Sequence, residues 1–190
     1  GVLVPEVWQA VARETQLPEL LKTTRDIPVY EDLMDYRLDI LRKQGITLTD
    51  IQNEIAKLKP LDGAKEFLDW AGERFQVAII SDTFYEFAGP LMVQLGDPFL
   101  LCHKLVVEDD RVVGYKLRQT DPKRHSVKAF KSLDLKVIAA GDSFNDVSML
   151  EEADHGIFFQ APENVRAQFP QYPLAADYAE LQALIEEAVG

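Results

Sequence analysis

Residues 136–150 read KVIAAGDSFNDVSML. An apolar run without alternation stops at Gly141, and Asp142, Asn145 and Asp146 then crowd into six positions before a helical pattern takes over. Unbroken apolar runs of this kind mark strands buried on both faces. A carboxylate at the carboxyl end of such a strand, with a second one four residues on, can hold a hard cation such as Mg²⁺. That ion takes few carboxylates and keeps waters and phosphate oxygens around it. The plainer alternative is that Asp142 or Ser143 caps the next helix. Capping needs one such residue, whereas here a Gly, two Asp and an Asn stand together, and the ligand reading outweighs it.

Working outward, QVAII (76–80), FLLC (99–102) and HGIFF (155–159) are further unbroken apolar runs. Helical patterns over 86–95, 123–133 and 145–152 separate several of them. Strand and helix in alternation predict an α/β fold with a doubly wound, mostly parallel sheet. KLVVEDDRVVGYKL (104–117) reads as a β-hairpin around Asp109 and Asp110. The front of the chain is different. VWQAVARETQLPELLKTT (7–24) has helical spacing broken at Pro18. YEDLMDYRLDILRKQG (30–45) is an amphipathic helix that Gly45 can close. In TLTDIQNEIAKL (47–58) either Thr47 or Thr49 can cap a third helix. KPLDGAKEFLDWAGERF (59–75) gives a turn and a fourth. The predicted organisation is an α/β core of residues 1–6 and 59–190 with a helical module, 7–58, inserted near its start.

The bulk properties narrow the function. The 190 residues carry a net charge of −12, spread along the chain, which disfavours nucleic acid and anionic membranes as partners. No apolar run approaches the roughly 20 residues of a bilayer span. A single cysteine, Cys102, rules out an internal disulfide and suits a reducing cytoplasm. An anionic substrate would need a local cation or metal to hold it.

Three other places repay attention. Ser81, Asp82 and Thr83 follow the QVAII run, where a hydroxyl and free backbone N–H groups at a helix start suit a phosphate; helix capping accounts for them equally well. Lys123 follows Pro122 in the first turn of a helix, and by itself reads as a solvated surface lysine. Arg37 has Leu33, Met34, Ile40 and Leu41 as its neighbours one turn away, so it sits in the buried stripe of its helix. It either snorkels to water, pairs with a distant structural acid, or aims its planar fork at a substrate carboxylate.

SDTF (81–84), then a lysine, then GDSFND (141–146) resembles the second, third and fourth motifs of the haloacid dehalogenase superfamily. GVLVPE (1–6), TTRDIP (23–28), LKPLDGAKEFLDW (58–70), RFQVAIISDTFYEF (74–87), LLCHKL (100–105), DPKR (121–124) and VIAAGDSFND (137–146) together resemble its phosphoserine phosphatase family. The branch they match is the one that can also transfer the phosphoryl group to homoserine. The resemblance implies a Mg²⁺-dependent phosphatase acting through an aspartyl-phosphate. It gives Ser81 the phosphoryl oxygens, with Asp82 and Thr83 also on substrate. Lys123 would neutralise the nucleophile and phosphoryl group, and Asn145 would contact the phosphate. Asp142 would be a metal ligand, and Asp146 would hold the metal-ligand loop. The helical module would be the cap, in which Arg37 takes the α-carboxylate of phosphoserine and Glu6 its α-ammonium.

The same resemblance expects an Asp-x-Asp or Asp-x-Glu pair immediately before Gly1, on a strand in the middle of the sheet. The chain begins after it. Two readings follow: an enzyme whose nucleophile and general acid precede Gly1, or a non-catalytic module that holds a phospho-amino acid. The presence of Lys123, Asp142, Asn145, Glu6 and Arg37 together favours the enzyme. On this reading residues 1–190 alone are marginally stable, because a missing central strand leaves backbone groups unpaired. A homodimer is compatible with either reading.

Overall fold

The computed structural model describes residues 1–23, 26–27 and 29–190. Three positions of the TTRDIP segment (24, 25 and 28) lie outside the described residues. In chain order the elements are α1 (Val7–Glu14), α2 (Tyr30–Gln44), α3 (Leu48–Ile55), α4 (Ala64–Gly72), β1 (Ile79–Phe84), α5 (Tyr85–Gln94), β2 (Leu100–Glu108) and β3 (Arg111–Lys116). There follow α6 (Pro122–Ser132), β4 (Ile138–Gly141), α7 (Val147–Glu152), β5 (His155–Phe159), α8 (Glu163–Arg166), β6 (Leu174–Ala175) and α9 (Tyr178–Val189). Short 3-10 turns occupy Pro18–Leu21 and Phe144–Asp146. The chain forms two compact units, residues 1–3, 61–80 and 119–190 in one and residues 4–60 and 81–118 in the other.

The first unit is built on a parallel sheet in the order β4-β5-β6, with Ile138 opposite His155 and Gly141 opposite Phe158. Its apolar runs are unbroken because both faces are covered. Ala139 and Phe158 pack with Val127, Val147 and Leu150, while Ile157 and Phe159 pack with Phe67, Ala175 and Leu181. Val2 and Leu3 join the second of these clusters. Tyr178 Oη donates to the Val2 carbonyl at 2.6 Å, and the Leu61 amide donates to the Leu3 carbonyl at 3.0 Å. These contacts bring Gly1 to the carboxyl end of β4, an edge strand of this sheet. Residues 162–173 hold α8, pinned by the buried Val165, and the Pro173 carbonyl accepts from the Phe158 amide at 2.8 Å.

The second unit joins α1, α2, α3 and α5 to the hairpin β2–β3 and the last four residues of β1. Gly45 closes α2 at φ 68°, the left-handed conformation that glycine adopts without strain. Of the two threonines, Thr47 is the cap. It exchanges hydrogen bonds with Asp50, side chain to amide in both directions, at 2.9 and 3.0 Å. Thr49 turns instead to the hairpin and donates through Oγ1 and its amide to Asp110 Oδ1 at 3.0 and 3.1 Å. Asp109 and Asp110 both have positive φ, as a two-residue hairpin turn requires.

The α/β class is as expected, but the strands divide differently. Among the described residues the strands form two three-stranded sheets, β1-β2-β3 and β4-β5-β6. No glycine or proline separates FLLC from the hairpin arm, so β2 runs on from Leu100 to Glu108 and takes β3 antiparallel on one edge and β1 on the other. β1 likewise runs on to Phe84, whose extended backbone caps α5. Ser81, Asp82 and Thr83 are therefore strand residues, and the loop expected after the QVAII run is not there.

Candidate active site

Asp146 is the node of the first unit. It is 6% exposed. Its Oδ2 accepts hydrogen bonds from the Asp142 amide (2.9 Å), the Ser143 amide (3.0 Å) and Ser143 Oγ (2.9 Å), and its Oδ1 accepts from Lys123 Nζ at 2.8 Å. Burial alone would raise its pKa. The Lys123 charge and these hydrogen bonds overcome that and hold it below the usual carboxylate value. Gly141 lets the carboxylate come this close. A Cβ there would lie 2.3 Å from Asp146 Cβ and 2.7 Å from its Cγ.

Lys123 is buried, 8% exposed, at the second position of α6. The chain reaches it through Asp121, in left-handed backbone at φ 46°, and Pro122. Asp121 Oδ1 accepts from Ser148 Oγ at 2.7 Å, which ties the start of α6 to α7. Neither Asp121 nor Ser148 stands out in the sequence; the Asp-Pro that opens α6 is the available signal. Asp142 is half-buried, and its Oδ2 accepts from the Gly1 nitrogen at 2.8 Å. The structure thus brings Lys123, Asp142 and Asp146 together, with Asn145 exposed on the same turn.

The second unit holds the other candidates. Arg37 is 7% exposed and does not snorkel. Its Nη2 donates to the Lys22 carbonyl at 2.8 Å, and the guanidinium lies over the Trp8 ring, 4.5 Å from its centroid. Its Nε is buried and has no hydrogen-bond partner among the described residues. Burial pulls the Arg37 pKa down to about 10, against the opposing pull of Tyr30 and Glu6, so it is charged at neutral pH. Glu6, exposed before α1, accepts from Gln9 Nε2 at 2.8 Å. Tyr30 Oη donates to the Asp82 carbonyl at 3.3 Å. Burial, with the Asp82 charge, raises that phenol to about 12, and Arg37 opposes the rise. The Thr83 amide donates to Ser81 Oγ at 3.3 Å, so it is not the free donor expected there. Trp8 and Tyr30, the latter seven residues before Arg37 on the same helix, are the two neighbours the sequence reading missed. The i, i+7 spacing could have found Tyr30.

The donor set can be tested against Mg²⁺. Among the described residues no three His, Cys, Asp or Glu form a cluster. Asp146 spends both oxygens on the hydrogen bonds above, which leaves Asp142 to offer a carboxylate. One or two carboxylates with water and phosphate oxygens are what Mg²⁺ takes, so the residues fit that ion.

Comparison with known proteins assigns the family. The family model described as haloacid dehalogenase-like hydrolase matches residues 16–154. The chain belongs to the haloacid dehalogenase-like hydrolases. This hydrolase is 63% identical over 183 residues to the phosphoserine phosphatase ThrH of Pseudomonas aeruginosa, covering 96% of its own length and 89% of the relative's. It is 60% identical over 183 residues to a phosphoserine phosphatase of Pseudomonas syringae pv. tomato, covering 96% of its own length and 77% of the relative's. Its fold matches a substrate-bound phosphoserine phosphatase complex at a TM-score of 0.77 and 19% identity, over 98% of this chain and 92% of the other. No helix among the described residues is long and apolar enough to cross a membrane.

Proposed function

We propose that this hydrolase is a Mg²⁺-dependent phosphoserine phosphatase acting through an aspartyl-phosphate, with homoserine as a second acceptor for the phosphoryl group. The observation that carries the substrate class is Arg37, a buried guanidinium whose Nε lacks a partner among the described residues. An unsatisfied buried donor costs about 1–3 kcal/mol, and a substrate carboxylate would relieve that cost. Glu6 acts on Arg37 electrostatically and supplies the complementary charge for an α-ammonium. The names of the two Pseudomonas relatives point to the same substrate.

Phosphoryl transfer depends on positioning and charge neutralisation. Lys123 balances charge at the phosphoryl group, and Asp146 holds Lys123 and the 142–143 backbone in place. Asp142 would hold the Mg²⁺, which when bound supplies further neutralisation of the phosphoryl oxygens. Ser81, Asp82, Thr83 and Asn145 make the remaining substrate contacts. On this reading the nucleophilic Asp and the general acid come from the family's first motif, Asp-x-Asp or Asp-x-Glu. Residues 7–58 serve as the cap that reads the amino-acid end, on a core of 1–6 and 59–190. The single cysteine supports a cytoplasmic location, and a homodimer is compatible with the acidic surface.

Arg37→Met tests the substrate assignment while nearly keeping side-chain volume. KM for phosphoserine should rise by about 10- to 100-fold, with little change for a small aryl phosphate that has no carboxylate. Equal losses on both substrates would make Arg37 structural.

A further inference from the structure

A cleft of about 430 Å³ in the second unit is lined by Tyr85, Cys102, Lys104, Lys116, Leu117 and Arg118. Three of the six are cations and none is an acid, in a chain of net charge −12. Lys104 and Lys116 are direct cross-strand partners, a like-charge placement that destabilises a sheet. Among the described residues none of the three cations forms an ion pair, although the chain carries 32 acids. Arg118 is held in place by neutral acceptors. Its Nε donates to the Cys102 carbonyl at 3.2 Å and its Nη2 to Tyr85 Oη at 2.6 Å, while Tyr85 Oη donates to the Leu100 carbonyl at 3.0 Å. Burial, then the nearby Glu86 carboxylate, push the Cys102 thiol up to about 12, so no thiolate competes for the cations. Glu86 itself accepts from the Leu105 amide at 2.9 Å.

We propose that this cleft is a second anion site, separate from the residues that handle the substrate, and that it takes a small phosphate-type anion carrying two or more negative charges. Lys104 and Lys116 supply point charges side by side, and Arg118 supplies an oriented planar donor. Tyr85 and Leu117 form an apolar wall that admits an organic body on the ligand. The volume lies within the usual range for small-molecule sites. A bound anion would offset the like-charge repulsion between Lys104 and Lys116.

The test is a titration of the ¹⁵N-labelled full chain with inorganic pyrophosphate, read from amide shifts. Saturable shifts are expected within residues 100–118, with a Kd below about 1 mM. They should weaken about tenfold or more in K104Q/K116Q. Shifts confined to residues 141–146, shifts reproduced by sodium chloride at equal ionic strength, or shifts unchanged in the double variant would each overturn the proposal. K116E gives an independent reading. Opposite charges then face each other across the pair, so Tm should rise while pyrophosphate binding at the hairpin is lost. A K116E chain that still binds as the native one does would also overturn it. These readouts do not depend on phosphoserine turnover, so this proposal and the functional reading can fail separately.

Discussion

Lys123→Met is expected to lose about 3–5 kcal/mol of stability at pH 7, the usual cost of leaving one partner of a buried ion pair uncompensated. The pair is well shielded, with side chains 10% and 9% exposed and 2.8 Å between Nζ and Oδ1. The loss should depend on pH in a defined direction. The folded-state pKa of Asp146 is held below its ordinary value. Its contribution is therefore fully present above the unfolded carboxylate pKa of about 3.9 and is lost as pH falls through the folded value. Without Lys123, burial acts on Asp146 with less opposition, and the variant has less of this contribution to lose. The gap in Tm between native and variant chains should thus be widest from neutrality down to about pH 4 and narrow on further acidification, as pH falls through the folded value. Thermal melts across that range decide it; a gap independent of pH would mean that Lys123 contributes packing rather than charge. Lys128→Met, at an exposed position of the same helix, should move stability by less than about 0.5 kcal/mol. In an active chain, Lys123→Met should also lower phosphate release by about 100- to 1,000-fold, the cost of removing one charged stabiliser of the transition state.

The second large effect is expected at Gly141. An alanine there would put a methyl carbon 2.3 Å from Asp146 Cβ and 2.9 Å from Oδ2. Neither partner can yield cheaply. Gly141 is the last residue of β4 and pairs with Phe158, while Asp146 is fixed by four hydrogen bonds. Gly141→Ala should cost about 2–4 kcal/mol through overpacking and broken hydrogen bonds, read as a drop in denaturation midpoint. Gly89→Ala is the matching control. Its Cβ would meet nothing within 4 Å, and the site is helical, so the change should be neutral or stabilising by up to about 1 kcal/mol. A Gly141→Ala chain as stable as Gly89→Ala would show that the 141–146 turn is not held by the Asp146 carboxylate.

Much of the fold is legible because local rules and tertiary packing agree. The unbroken runs at β4 and β5 are unbroken because helices cover both faces, and Gly45 and the Asp109–Asp110 turn stop their elements where backbone geometry requires. The strand extents are not legible. Whether β2 halts at Cys102 or runs on to Glu108 depends on which edge it pairs with, and pairing between distant segments leaves no local mark. The same holds for Ser81–Thr83, which read as a strand-end loop because three small polar residues follow an apolar run, yet they continue β1. Of the site, the Asp142–Asp146 cluster is visible as a concentration of polar residues after a strand, and Arg37 as a charge in an apolar stripe. What Arg37 touches is not visible: Trp8 stands on another helix and Lys22 offers only a backbone carbonyl. Asp121 is hidden in the same way, since its bond to Ser148 joins residues 27 apart in sequence.

The most direct test is phosphate release from phosphoserine with Mg²⁺, measured on a chain carrying an Asp-x-Glu strand immediately before Gly1. The account predicts turnover that requires Mg²⁺, disappears in Asp142→Asn, and yields phosphohomoserine in place of part of the free phosphate when homoserine is added. A folded chain that releases no phosphate from phosphoserine under these conditions, or one whose turnover survives Asp142→Asn unchanged, would contradict it.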